Sequence, residues 1–375
     1  MTRARRIGRA ALLAIAGLAA IIAGLLAASP VRPAVWAAPS GPPAPSCDAA
    51  EGAAELRVRV LATDLPANAD GLAFGADGFL RAALADGTVA SVDPASGAWR
   101  LVAHGAAPGA FLTGLAVTPD GTLWAADERG GALHALREEH GQATGGRVAL
   151  SALGGRPLRW ANDVAAADGL VWLTTSSQRR NLDRFFEELL EHRGSGQLIA
   201  FDPASGAARE RAGDLLMANG VAPGREPGEI LVAETAAYRV KRFAPGAAPP
   251  EVVLDNLPGF PGNLRRVEGA DPAWWLTLLS PRSPLVDTLA PFPSARRLLA
   301  LLPAGLRPGP QPLPCILRLQ VTEDGAWQAR AFRLAMPGGS MPSISTALER
   351  GGRLYLSPAG LGGASDRRLF VAESP

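Results

Sequence analysis

Side chains able to form or break covalent bonds are scarce in this chain of 375 residues: two cysteines, Cys47 and Cys315, and four histidines, His104, His134, His140 and His192. An isolated cysteine pair can be a disulfide, a pair of metal ligands or a source of one nucleophile, and in an oxidising compartment the disulfide leads. Two unpaired buried thiols are the competing reading. Cys47 sits just before the first folded segment and Cys315 near the start of the last, so a bridge would fasten the two ends of the domain. The histidines fall in expected turns, outer strands or a helical insertion, where a solvated surface role outweighs that of a general base. No Gly-x-Ser-x-Gly elbow, His-Glu-x-x-His helix or phosphate loop occurs. Any chemistry must therefore come from carboxylates, amides and hydroxyls, and depends on the elements that assemble them.

Those elements form a repeat. Glycine and proline contribute 43 and 33 residues, a turn-rich composition that excludes a helix bundle. Hydrophobic residues make up 47% and charged residues 19%, with a net charge of +2, which supplies a core and rules against disorder and a nucleic-acid partner. A turn followed by a β-rich apolar run returns as GFLRAALAD (78–86), GTLWAADERG (121–130), GLVWLTTSS (169–177), GEILVAETAA (228–237), PAWWLTLLS (272–280) and GRLYLSPAG (352–360). The runs begin at Phe79, Thr122, Leu170, Glu229, Ala273 and Arg353, spaced 43, 48, 59, 44 and 80 residues apart. A base period in the low forties is the length of a four-stranded propeller blade, and six copies predict an all-β, six-bladed propeller over 51–375. Two nearly identical hairpins, VASVDPASGAWR and LIAFDPASGAAR, turn at Asp-Pro-x-Ser-Gly, where proline fixes one turn position and glycine accepts positive φ. Before most copies lies a further strand, as at 114–117, 162–164 and 219–221, expected to line a central channel. One asparagine there need only close its own turn. Asparagines at equivalent places in successive repeats point to a shared site.

The two long intervals hold helical insertions. NLDRFFEELLEH places Leu182, Phe185, Phe186, Leu189 and Leu190 at helical spacing, with Asn181 as N-cap and Gly194 as stop. A second insertion, 284–306, reads as one or two short proline-bounded helices. Such helices either cover a mouth of the channel, touch a membrane, or pack on a neighbouring blade. At the N-terminus, Arg3, Arg5, Arg6 and Arg9 precede an apolar run from Ala10 to about Ala28, the pattern of a signal peptide or a retained signal anchor over 1–30. A proline- and alanine-rich linker, 31–50, follows as an extended stalk, with a possible cleavage site at Ala34-Val35-Trp36-Ala37. The chain is thus expected to be exported: anchored in the inner membrane facing the periplasm or the extracellular side, or secreted if the signal is cut.

The ordered series ANDV, LLEHRGSGQLIAFDP, MANGVA, VAETAAYRVKRF and DNLPGFPGN, within a likeness running from about Leu56 to Ala372, resembles the strictosidine-synthase-like proteins. These include the adipocyte plasma-membrane-associated type and are related to the paraoxonase and gluconolactonase (SMP-30) propellers. The resemblance implies a cation, commonly calcium, near the top of the channel, with Asp70, Asn162, Asn219 and Asn263 as its ligands. Gly262 stands where the family usually has Asp, and calcium affinity rises with ligand charge, so that site is weakened. Ser345 stands where strictosidine synthases carry a catalytic acid, and Thr113 where paraoxonases carry a histidine base, so neither chemistry carries over. Asp163 could orient a water or cap a turn, and Trp160 could wall a pocket or pack between blades. With Thr113 and Ser345 these complete the candidate substrate pocket. Glu234, Tyr238 and Arg239 read as ties between strand ends.

Two functions fit these residues. The first is a divalent-cation-dependent hydrolase of small esters or lactones, arylesterase- or lactonase-like. The second is a non-catalytic propeller that binds a small apolar ligand or a protein. The substitutions at 262, 345 and 113 favour binding, and the asparagine set and the insertions favour hydrolysis.

Overall fold

The computed structural model describes residues 3–139, 142–246, 248–269, 272–360 and 366–375, and strands dominate them. Every apolar run that repeats in the sequence becomes the second strand of an antiparallel meander, for example Leu80–Leu84, Leu123–Asp127 and Ile230–Glu234. These runs are continuous rather than alternating because both faces of such a strand are buried. The strand before each run is the first of its meander: β1 (Ala69–Phe74), β2 (Leu112–Val117), β3 (Ala161–Ala167), β4 (Ala218–Pro223), β5 (Gly259–Arg266) and β6 (Ile344–Arg350). Each first strand packs against the next, and β6 returns to β1, so these strands close a ring. The close approach demands glycine. A Cβ on Gly71 would lie 2.3 Å from the Thr113 carbonyl oxygen, and one on Gly220 would lie 2.4 Å from the Leu264 nitrogen.

The first and last strands of the chain share one sheet. The meander opened by β6 continues through Arg353–Pro358 and Leu369–Glu373 and takes its outer strand from Ala54–Ala62, with Val58 opposite Ala372 and Val60 opposite Phe370. Residues Ala54 to Arg57 of that strand also run parallel to Phe332–Ala335. Just ahead of it, Cys47 is disulfide-bonded to Cys315, which opens the strand Cys315–Val321. The bond closes a separation of 268 residues. Cys315→Ser is therefore expected to lower the unfolding free energy by about 2–5 kcal/mol, measured by urea denaturation without reductant. An unchanged midpoint would show that the sheet pairing alone holds the ends.

These sheets form one compact unit, Pro39–Asp183, Gly194–Arg282 and Gly309–Pro375. A second unit gathers Met1–Ala38, Arg184–Arg193 and Ser283–Pro308, so both insertions fold with the N-terminal segment. It contains α1 (Arg3–Ala28), α2 (Phe185–Glu191), α3 (Pro284–Leu289) and α4 (Pro293–Leu299). Ser283 caps α3 by accepting from the Val286 nitrogen, and proline occupies the first turns of α3 and α4, where no N–H is needed. The expected caps of α2 are not used. Arg184 occupies its N-cap position, after a 3-10 turn at Leu182–Arg184, and His192 ends it in a left-handed conformation with its ring stacked on Trp36 at 3.8 Å.

The linker is not a free stalk. Its first part folds into the helical unit, with Val31 buried and the Ala34 nitrogen donating to the Glu191 carbonyl at 2.8 Å. Its second part lies on the sheet unit, where the Asn256 amide donates to the Pro42 carbonyl at 3.0 Å and Arg282 to that of Pro39 at 3.2 Å. Proline-rich backbone lacks donors but keeps its carbonyls, and these side chains satisfy them. Among the described residues, no helix is long and apolar enough to cross a membrane.

Candidate functional site

The ring of first strands is irregular at corresponding places. The pairing register of each first strand with its neighbour shifts between Ala69 and Leu72, Leu112 and Leu115, Ala161 and Val164, Ala218 and Val221, Pro261 and Leu264, and Ile344 and Thr346. A bulge frees a residue from the ladder and re-aims its side chain. The residues so freed include Asp70, Thr113, Asn162, Asn219, Asn263 and Ser345, which is why the sequence motifs fall together on the ring. The carbonyls released by the bulges are met by hydroxyls. Thr113 donates to the Asn162 carbonyl at 2.7 Å, Thr174 to that of Asn219 at 2.6 Å, Thr277 to that of Ser345 at 2.8 Å, and Ser357 to that of Asp70. Thr113 thus ties two strands together through its hydroxyl.

Asp70 is the hub of the polar cluster. Its carboxylate accepts from the Asn263 amide at 3.1 Å and from the Ser345 hydroxyl at 2.6 Å, and the same Asn263 amide nitrogen donates to Thr346 at 2.8 Å. Burial raises its pKa above the ordinary value, against the pull of those two hydrogen bonds. Beside it in electrostatic reach is Glu128, directly after the strand Leu123–Asp127, buried and accepting from the Trp160 indole N–H at 2.7 Å. Burial first, and then the charge of Asp70, pushes the Glu128 carboxyl up to about 8. Trp160 therefore serves as the donor that holds Glu128, a role the sequence reading did not contain.

Asp163 neither orients water nor caps a turn. It is fully buried and accepts a two-pronged contact from Arg265, at 2.7 and 2.8 Å, and a third hydrogen bond from the Val221 nitrogen at 2.9 Å. Three donors on one buried carboxylate leave it little capacity to activate a solvent molecule. The side-chain amides of Asn162 and Asn219, by contrast, make no hydrogen bond with the described residues. Two histidines expected at the surface are structural. His134 is fully buried, accepting from the Ala106 nitrogen and facing Asp127, and His192 caps α2. His104 is exposed, and His140 lies outside the described residues.

These residues do not fit a calcium ion as they are arranged. Asp70 already accepts two protein hydrogen bonds, the Asn263 amide presents its N–H side to the carboxylate, and Asp163 is committed to Arg265. Among the described residues, no group of three or more His, Cys, Asp or Glu could hold a metal. Gly262 sits in a tight place: a Cβ there would meet the Thr277 hydroxyl at 2.7 Å and the Leu279 side chain at 2.8 Å, so the carboxylate implied by the resemblance would require those side chains to shift. Calcium asks for six to eight oxygens. Adding millimolar calcium, or removing it with a chelator, is accordingly expected to leave the melting temperature unchanged by scanning calorimetry. A saturable rise would contradict this arrangement of the site.

Residues 161–245, which carry β3, Asp163, α2 and β4, match the family model for strictosidine synthase. Over these residues the chain is similar to strictosidine synthase. It is 28% identical over 136 residues to protein strictosidine synthase-like 6 of Arabidopsis thaliana, covering 36% of each chain. It is 29% identical over 195 residues to the adipocyte plasma membrane-associated protein of Salmo salar, covering 50% of this chain and 46% of the relative. The chain spans about a third to a half of the length of these curated relatives. Among solved structures it is similar to a gluconolactonase of Xanthomonas campestris, with a TM-score of 0.58 at 16% identity over 92% of this chain and 98% of that one. It is also similar to regucalcin, a calcium-binding protein of Agrobacterium tumefaciens, with a TM-score of 0.56 at 14% identity over 86% and 97%. At such identity these likenesses show the fold, a β-propeller.

Proposed function

We propose that this strictosidine-synthase-like chain is an exported or membrane-anchored, six-bladed propeller that hydrolyses small esters or lactones at the Asp70–Glu128 carboxyl pair. The six-bladed reading is supported by the closed ring of β1 to β6. One observation carries the chemistry: a buried carboxyl, Glu128, held by Trp160 beside a second carboxyl and pushed to about 8. Two acids whose environments separate their protonation states can act as acid and base at one pH. In the proposed step a water attacks the ester carbonyl carbon and yields its proton to ionised Asp70. The unbonded amides of Asn162 and Asn219 donate to the carbonyl oxygen as charge develops there. The bond to the leaving oxygen breaks as Glu128 gives up its proton, and the proton on Asp70 restores Glu128. Ser345 and Asn263 hold Asp70 in place throughout.

The similarity to a protein described as a gluconolactonase supports the substrate class. Nothing in the step uses a divalent cation. The experiment is a turnover survey of the full chain on phenyl esters and on five- and six-membered lactones, with Glu128→Gln as the comparison. Hydrolysis that depends on Glu128 supports the reading. Absence of turnover on every member, with binding retained, would favour the non-catalytic ligand-binding propeller.

A further inference from the structure

The helical unit differs from the sheet unit in the surface it presents. Twelve of the sixteen exposed large apolar side chains among the described residues lie in it, although it holds about a fifth of the chain. They include Val35 at 81% exposure, Leu306 at 69% and Phe292 at 58%. The unit has its own interior, so these side chains are not left over from a failed core. Val31, Leu190, Leu299 and Ala300 pack together, and buried Arg296 donates to the Leu190 and Ala34 carbonyls. On α4 this interior takes Arg296 and Leu299, while Leu298 is exposed.

Charge follows the same division. The helical unit has ten arginines against four acidic residues, a formal +6, so that the rest of the chain, at +2 overall, is formally −4. An exposed apolar surface combined with excess arginine is the signature of an element that lies in a bilayer interface and is drawn there by anionic headgroups. In the same unit, α1 exposes Leu13, Ile15 and Ile21.

We propose that the second blade insertion is a membrane-docking device: Phe292, Leu298 and Leu306 enter the headgroup region of an anionic bilayer in concert with α1. This goes beyond an N-terminal anchor, which would leave the insertion in water. It is also independent of the hydrolytic reading, since it concerns no residue of the Asp70–Glu128 pair.

The test uses the full chain on phosphatidylcholine vesicles with and without phosphatidylglycerol. Nitroxide labels are placed on cysteines introduced at Phe292, Leu306 and, as a control, at exposed Val252 of the sheet unit. On anionic vesicles the labels at 292 and 306 are expected to gain oxygen accessibility and lose accessibility to a water-soluble nickel chelate, with 252 unchanged. The double variant Phe292→Ser, Leu306→Ser is expected to bind anionic vesicles roughly 10-fold more weakly or worse, from the apolar surface no longer buried. Labels at 292 and 306 that remain as open to the nickel chelate as 252 would overturn the proposal. So would labels closed to both reagents, which would mark the surface as covered by a second copy of the chain.

Discussion

Glu128→Gln is expected to lower kcat/KM for the hydrolysed ester or lactone by about 100- to 10,000-fold, the usual contribution of a positioned acid. The side chain keeps its shape and its acceptor for the Trp160 indole, so the fold is retained while the transferable proton is lost. The pH profile makes the expectation specific. In the parent protein the rate should fall as pH rises through about 8, where Glu128 loses its proton, and fall at low pH, where Asp70 gains one. In the variant the descending alkaline limb should vanish and the acidic limb remain.

Stability offers a second readout that does not depend on substrate. Glu128 ionises at about 8 in the folded chain against an ordinary 4.5, so the folded state holds this proton more tightly than the unfolded state does. Stability from this group is complete below 4.5 and is lost as pH rises toward 8, by roughly 1.4 kcal/mol for each unit between the two values. Glutamine cannot ionise. Urea midpoints of the variant should therefore improve relative to the parent as pH increases across that window. A difference that does not change with pH, or an unaltered turnover, would remove Glu128 from the mechanism.

Glu128 also shows where the sequence stops being informative. It lies inside a repeat that was legible, GTLWAADERG, but an acid after a strand looks like any turn residue. Comparison of the repeats offers a signal. Asp127 ends one second strand and Glu234 another, and both accept from a backbone nitrogen ahead of their first strand, Phe111 and Leu216 respectively. Glu128 is the additional acid beyond that structural one. Its pKa is raised by burial and by the charge of Asp70 on another meander, and its place is fixed by Trp160, 32 residues away, none of which a local pattern encodes. The channel residues were legible because bulges recur with the repeat, whereas their contacts cross from one meander to another. Arg265 was visible only as an arginine in NLRR, and its partner, Asp163, is separated from it by 102 residues.

Arg265→Met is expected to cost about 3–5 kcal/mol of unfolding free energy, because it leaves the Asp163 carboxylate buried with the Val221 nitrogen as its remaining donor. Adding Asp163→Asn should recover most of that loss, since removing both charges also removes the need to pair them. The pair has a functional consequence through Asp70. The charge of Arg265 lowers the Asp70 pKa and that of Asp163 raises it, so the intact pair holds the proposed base between opposing influences. The acidic limb of the pH–rate profile should thus move to higher pH in Arg265→Met and to lower pH in Asp163→Asn, and return toward its original position in the double variant. A divalent ion bound by Asp70 would mask these opposed displacements. Finding them, in the presence of a chelator, would identify the guanidinium as the fixed positive charge that sets the Asp70 protonation; finding neither displacement nor destabilisation would reduce the pair to a packing element.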